Sequence, residues 1–153
     1  MQLKPLADFQ QVKDRYCVFL AGSIEMGGAE DWQETIATAF QEDNTICLLN
    51  PRRDSWDNSW EQSIKNPVFS QQVNWELDGL DRADLIVFYF APGTKSPVSM
   101  LELGLYARTG KVIVCCPDGF WRKGNIDIIC ERYSIPQVPT INELILIINK
   151  RRI

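Results

Sequence analysis

Short apolar runs alternate along the chain with segments in which apolar residues recur at helical spacing. Five runs predict strands, at residues 16–21, 45–49, 84–90, 111–116 and 135–138. The first four are almost entirely apolar, which is typical of strands that are buried on both faces. Such strands occur in parallel sheets with helices on both sides, so the pattern predicts an α/β protein.

The segments between the runs predict helices, at residues 30–41, 66–82, 97–109, 126–132 and after residue 140. Asn66-Pro67 is typical of a helix start, and Thr140 with Glu143 forms a capping-box pattern. This order predicts one domain over residues 1–153, with a three-layer Rossmann-like or flavodoxin-like architecture and a mostly parallel sheet of about five strands. Ligands bind at the carboxyl ends of the strands in such folds, so the loops after the first four strands form the candidate site.

Composition limits the classes of function. The formal net charge of -4 and the pI of about 4.9 disfavour a groove for a nucleic acid polymer. No apolar run has the length of a signal peptide core or a membrane span, and most of the five cysteines lie in predicted strands. We therefore expect a cytoplasmic protein with free, buried thiols and no membrane contact.

The sequence contains no histidine. This excludes Ser-His-Asp and Cys-His catalysis and the usual zinc sites. In an enzyme that works near neutral pH without a metal, carboxylates are the side chains best suited to carry protons and to act as nucleophiles. We expect neither a metal nor a cofactor.

The loop after the first strand begins with Gly22-Ser23 and carries two further glycines at 27 and 28. Glycines let backbone N–H groups approach an anion or a sugar hydroxyl, next to the start of a helix. A plain tight turn explains the same residues equally well. The loop matches neither the dinucleotide-binding fingerprint nor a P-loop.

The loop after the second strand, residues 50–60, contains two tryptophans among polar residues. Trp56 and Trp60 are candidates for a stacking wall against a flat base, and Asp57 or Asn58 for reading its hydrogen-bonding edge. The alternative is a loop that its tryptophans pack onto the domain, with Arg52 in a surface salt bridge.

Two glutamates on predicted helices are candidates for chemistry. Glu76 belongs to a run of acidic residues that mostly face water, but it lies one turn before Leu80, where the helix meets the top of the sheet. Glu102 fits a capping box with Ser99, which is a purely structural role. If Ser96 instead caps the helix, Glu102 lies in the second turn and is free to face the cleft.

These segments together resemble the nucleoside 2-deoxyribosyltransferases. The resemblance rests on residues 73–80 (VNWELDGL), 83–87 (ADLIV) and 101–107 (LELGLYA). Residues 19–24 (FLAGSI) also resemble the first loop of the related 2'-deoxynucleoside 5'-phosphate N-hydrolases. The resemblance extends over residues 16–127, and the segment with Glu-Leu-Gly is its most specific part.

The resemblance implies roles for single residues. It makes Glu102 the nucleophile and Glu76 the acid that assists departure of the base, although that acid is usually Asp in this family. Ser96 takes the position of a serine that contacts the 5' end of the sugar in the hydrolases. Asn125 is the nearest match to a residue that a neighbouring subunit contributes. The further candidates for substrate contact are Gly22, Ser23, Arg52, Trp56 and Asp57.

The resemblance implies a homo-oligomer, a dimer or larger, that acts on deoxynucleosides and free nucleobases. The main hypothesis is transfer of 2-deoxyribose between bases with retention, through a covalent intermediate on Glu102. Hydrolysis of the same bond, in a nucleoside or its 5'-phosphate, is the first alternative. A module that binds nucleosides without catalysis is the second.

Overall fold

The computed structural model describes residues 1–25, 29–55, 57 and 59–153. Within them, six parallel strands form one sheet in the order β1-β3-β2-β4-β5-β6. The strands are β1 (Gln2–Leu3), β2 (Tyr16–Gly22), β3 (Ile46–Leu49), β4 (Leu85–Tyr89), β5 (Val112–Cys115) and β6 (Gln137–Val138). The predicted α/β architecture is therefore confirmed, with a sheet that is parallel throughout.

The strand β1 is missing from the sequence prediction, which gave about five strands. It consists of two residues, and it lies at the edge of the sheet, where Gln2 pairs with Leu48 and Leu3 with Leu49. A strand of this length has no periodicity, so only its partner strand defines it. The first predicted strand is therefore β2, the second strand along the chain.

Five α-helices cover the sheet within the described residues: α1 (Trp32–Ala39), α2 (Pro67–Arg82), α3 (Pro97–Tyr106), α4 (Lys123–Arg132) and α5 (Ile141–Arg151). Each predicted helix is present, with its ends shifted by a few residues. The helices α1 and α5 bury Trp32 and Leu144 on one face of the sheet. The helices α2, α3 and α4 bury Trp75, Leu103 and Ile126 on the other face. Two helices on which candidate glutamates lie, α2 and α3, therefore share one layer.

The predicted helix starts at Asn66 and Thr140 are confirmed. The side-chain oxygen of Asn66 accepts hydrogen bonds from the backbone N–H groups of Val68 at 3.1 Å and Phe69 at 3.3 Å. The hydroxyl of Thr140 accepts one from the N–H of Glu143 at 3.2 Å. These bonds satisfy N–H groups that have no partner within the helix.

The direction of the chain crossovers reverses between β2 and β4. After β2 the chain passes through α1 to β3 on one side, and after β3 it passes through α2 to β4 on the other side. The loops that follow β2 and β4 therefore diverge and leave a crevice at the carboxyl edge of the sheet. These are two of the four loops to which the candidate site was assigned from the sequence.

Two further expectations can be compared with the structure. All five cysteines are free and buried, as expected. In the part of the chain that the structure describes, no helix combines the length and the apolar character that a bilayer span needs.

The close contact of β2 with β4 at Gly22 predicts a large effect of Gly22→Ala. Gly22 has a φ of 137°, and an added Cβ would lie 2.2 Å from the backbone oxygen of Tyr89. Because this atom belongs to the paired strand, we expect a loss of at least about 2 kcal/mol in the free energy of unfolding, measured with urea. Gly124→Ala is the control, since an added Cβ at this position of α4 meets no atom within 4 Å. Equal effects of the two substitutions would contradict the prediction.

Candidate active site

Glu102 on α3 and Glu76 on α2 lie close enough for the charge of Glu76 to act on Glu102. Glu102 lies in the second turn of α3, is only 8% exposed, and accepts no hydrogen bond from any described residue. Glu76 lies in the middle of α2 and is partly exposed, but its carboxyl group is enclosed by protein. The structure thus brings together the two residues to which the sequence assigns catalysis.

Burial holds protons on both carboxyl groups, and the charge of Glu76 adds to this effect at Glu102. Burial, with the negative charge of Glu76 as a second cause, raises the pKa of Glu102 to about 8. Burial also raises the pKa of Glu76 to about 7, although a hydrogen bond from Gln72 and the charge of Arg53 oppose the rise. Near neutral pH the two carboxyl groups therefore retain a proton between them. Such a pair can act as an acid and a nucleophile in the same site.

A polar chain leads from Glu76 to the loop after β3. The side-chain N–H of Gln72 donates to Glu76 Oε1 at 2.5 Å, and Arg53 Nε donates to Gln72 Oε1 at 2.7 Å. The guanidinium of Arg53 lies 4.7 Å from the ring centroid of Trp60. Sequence reasoning missed Gln72 and Arg53 as parts of the site. Gln72 could have been found from its spacing, because it lies four residues before Glu76 on the same predicted helix.

The start of α3 decides between the two roles proposed for Glu102. The helix begins at Pro97, with Ser96 at the N-cap position, so Glu102 lies too far along the helix for a capping box. The capping box of Ser99 with Glu102 is therefore wrong. Ser96 does hold the cap position, but its hydroxyl makes no capping hydrogen bond, because its backbone is left-handed with φ 47° and ψ 52°.

The hydroxyl of Ser96 instead joins a buried cluster at the crevice. Ser23 Oγ lies 2.6 Å from Ser96 Oγ and 2.8 Å from Thr94 Oγ1, and it accepts a hydrogen bond from the N–H of Ala91 at 2.9 Å. The N–H of Ser23 donates to the backbone oxygen of Tyr89 at 2.9 Å. These bonds tie the loop after β2 to the loop after β4. The contacts of Gly22, Ser23 and Ser96 with substrate remain predictions.

Glu25 provides a negative charge at the start of α3. Its Oε1 accepts hydrogen bonds from the backbone N–H groups of Lys95 at 3.0 Å and Ser96 at 2.8 Å. Anions are favoured at this end of a helix because its N–H groups and dipole are positive. No role of Glu25 was predicted from the sequence.

Arg52 holds the start of α1. Its guanidinium donates to the backbone oxygens of Ala29 at 2.7 Å and Glu30 at 3.0 Å, and to the side-chain oxygen of Gln33 at 3.4 Å. Its Nε also lies 3.7 Å from a carboxylate oxygen of Asp31, so the salt bridge that was the alternative role of Arg52 is present, although Arg52 itself is only 9% exposed. A contact of Arg52 with substrate remains a prediction.

The remaining predicted site residues lie outside this network or outside the described chain. Trp56 and Asn58 are not among the described residues. Asp57 is exposed, and Oδ1 accepts hydrogen bonds from the hydroxyl and N–H of Ser59, which lower the pKa of Asp57. Asn125 is exposed on α4, which is compatible with a role in a neighbouring subunit.

The raised pKa of Glu102 predicts that Glu102→Gln stabilises the protein at alkaline pH. The folded state holds this proton more tightly than the unfolded chain, so the resulting stability is complete at acidic pH and is lost as the pH rises through about 8. We expect Glu102→Gln to raise the Tm by roughly 5–10 °C at about pH 9.5 and to leave it nearly unchanged at about pH 4. Glu131→Gln, an exposed position on α4, is the control. A difference in Tm that does not depend on pH would contradict the assignment.

Comparison with known proteins places this geometry in a family. A family model described as "Nucleoside 2-deoxyribosyltransferase like" matches residues 15–120. The comparison with curated proteins gives no match. Among solved structures, the crystal structure of a conserved protein from Enterococcus faecalis V583 is similar in fold, with a TM-score of 0.63 and 16% sequence identity over 90% of this chain and 99% of that chain. Since the family model covers more than half of the sequence, including both glutamates, the chain belongs to the nucleoside 2-deoxyribosyltransferase-like family.

Proposed function

We propose that the protein is a nucleoside 2-deoxyribosyltransferase that moves 2-deoxyribose between purine and pyrimidine bases. The observation that carries this proposal is the carboxylate of Glu102, which is buried beside Glu76 and accepts no hydrogen bond from the described residues. Although Glu102 is mostly buried, its carboxyl oxygens are therefore available to a ligand. A sugar carbon that develops positive charge is a suitable partner.

In the first half of the reaction, a carboxylate oxygen of Glu102 forms a bond to C1' as the bond from C1' to the base nitrogen breaks. The electron pair of the broken bond goes to the base, and Glu76 gives its proton to the base. In the second half, Glu76 takes a proton from the incoming base, whose nitrogen attacks C1' and releases Glu102. Two displacements at C1' retain its stereochemistry.

The protonation of the pair supports this sequence. Both pKa values are raised, to about 7 and about 8, so a proton stays in the site near neutral pH. In the productive form this proton resides on Glu76, because positive charge on C1' favours the ionised form of Glu102. The same proton then passes to the first base and returns from the second, so no net proton is consumed.

Glu25 favours nucleosides over nucleoside 5'-phosphates. The family resemblance assigns Ser96 to the 5' end of the sugar, and the carboxylate of Glu25 accepts the N–H of Ser96 at 2.8 Å. A 5'-phosphate at this position meets a negative charge, whereas a 5'-hydroxyl does not. This supports the transferase over the nucleotide hydrolase.

One assay on deoxyinosine and its 5'-monophosphate distinguishes the transferase from the two alternatives, a hydrolase and a module without catalytic activity. A transferase releases hypoxanthine rapidly only when adenine is present. A hydrolase releases it without adenine, and a nucleotide hydrolase prefers the monophosphate. A module without catalytic activity binds the nucleoside and releases no base.

We also propose that the protein acts as a homo-oligomer, with Asn125 of one subunit completing the site of another. Support comes from three apolar side chains on one face of α3, Val98, Leu101 and Leu105, which are 59%, 65% and 59% exposed. A patch of this kind on a helix is typical of a surface that another protein covers. Because Glu102 lies on the same helix, such an interface would adjoin the site.

The proposed nucleophile predicts that Glu102→Gln abolishes the exchange of thymine for adenine on thymidine, followed by chromatography of nucleosides and bases. We expect a loss of at least about 1,000-fold, since the carboxamide cannot form the glycosyl ester. Circular dichroism should show an intact fold, and Glu131→Gln should exchange bases at the rate of the unsubstituted protein. Near-normal exchange by Glu102→Ala would refute the assignment.

The proposed interface predicts that Leu101→Lys with Leu105→Lys gives a monomer in sedimentation experiments, because two charges on α3 prevent its burial. Transfer activity should fall with the monomer if a neighbour completes the site. Leu146→Lys, an equally exposed position at 61% on α5, should leave the oligomer intact. A monomeric unsubstituted protein with full activity would contradict the proposal.

A further inference from the structure

One donor in the candidate site lacks a partner. Arg53 Nη2 is buried, and no described residue accepts a hydrogen bond from it. A buried donor on a charged group that stays unsatisfied lowers the stability of the folded protein. The rest of the guanidinium is well placed, since Nε binds Gln72 and the group stacks on Trp60.

Gln72 fixes Arg53 relative to the catalytic pair. The amide of Gln72 is 3% exposed, and its oxygen accepts from Arg53 while its nitrogen donates to Glu76 at 2.5 Å and to the backbone oxygen of Pro51 at 3.4 Å. Rotation of the amide would break these hydrogen bonds together. The guanidinium therefore keeps one position beside the carboxyl group that handles the proton of the base.

We propose that Arg53 is a further catalytic residue, whose Nη2 donates a hydrogen bond to the departing base and stabilises its negative charge. This inference rests on the proposed function and names the chemical class of ligand, a heterocyclic anion with ring nitrogens or carbonyl oxygens as acceptors. When the bond from C1' to nitrogen breaks, the electron pair enters the base before the proton of Glu76 arrives. A fixed cation in an enclosed site opposes this charge without reorganisation.

The geometry requires arginine at this position. One side of the guanidinium is used for Gln72, and a second N–H remains for the ligand at a fixed angle in the same plane. A lysine ammonium retains the charge but cannot hold this planar arrangement. The stack on Trp60 further fixes the plane of the group.

The test is a single-turnover measurement of base release from deoxynucleosides whose bases differ in acidity. For Arg53→Gln we expect a loss of about 10²–10³-fold for the least acidic bases and a much smaller loss for the most acidic ones, because acidic bases need less stabilisation. A plot of log rate against the pKa of the base therefore becomes steeper. The slope for Arg53→Lys should lie between those of the unsubstituted protein and Arg53→Gln. Added guanidinium ion should partly restore the rate of base release by Arg53→Ala.

Arg108→Gln is the matched control. Arg108 also stacks on an aromatic ring, 5.0 Å from the centroid of Tyr133, and it donates to the hydroxyl of that residue, but it is exposed and belongs to no site. Its replacement should leave both rate and slope unchanged. Circular dichroism of each variant separates a loss of fold from a loss of catalysis, and Arg53→Lys provides the slope if Arg53→Gln does not fold.

The outcomes separate the two levels of the proposal. If the unsubstituted protein releases no base, the proposed function fails and this inference fails with it. If the unsubstituted protein is active and Arg53 variants lower all rates by the same factor, Arg53 only supports the structure and the inference is wrong. A steeper slope with rescue by guanidinium supports it.

Discussion

The burial of two neighbouring carboxyl groups, Glu76 and Glu102, is the constraint on which the candidate site depends, because burial raises both pKa values and the charge of Glu76 further raises that of Glu102. The protein must hold like charges close together in a region with little water, which costs stability whenever both groups are ionised. Two helices on one face of a parallel sheet supply the necessary rigidity, because each is fixed by apolar residues such as Trp75 and Leu103. The surroundings that lower the stability of the folded protein also keep a proton on the pair near neutral pH.

Polar contacts outside the pair hold its surroundings in place. Ser23 joins the loops after β2 and β4, and Arg52 joins the end of β3 to the start of α1. These contacts are buried or partly buried, so each replaces hydration by a directed hydrogen bond that only one arrangement of the loops satisfies. The edge of the crevice is thereby defined by side chains that need not touch a substrate. A residue that was expected to bind a ligand can serve the site equally well by positioning its neighbours.

Much of the fold follows from the sequence, and the limits have physical reasons. Long apolar runs identify β2, β4 and β5, and Asn66 with Pro67 locates the start of α2, because local patterns determine them. The strand β1 could not be predicted because it has only two residues, which are recognisable as a strand only by their pairing with β3. Glu76 and Glu102 were found through a family pattern, whereas Arg53 was not, since its partner Gln72 lies on a helix that only the folded chain brings near.

The two glutamates and the side chains that we propose to face the base lie in different kinds of structure. Glu76 and Glu102 lie within helices, but Arg53 and Trp60 lie in the connection between β3 and α2, outside any helix or strand. Connections of this kind tolerate changes in length and composition that helices packed on a sheet do not. For the proposed function, the range of accepted bases is therefore free to diverge in evolution through residues 50–60, while the two glutamates stay unchanged.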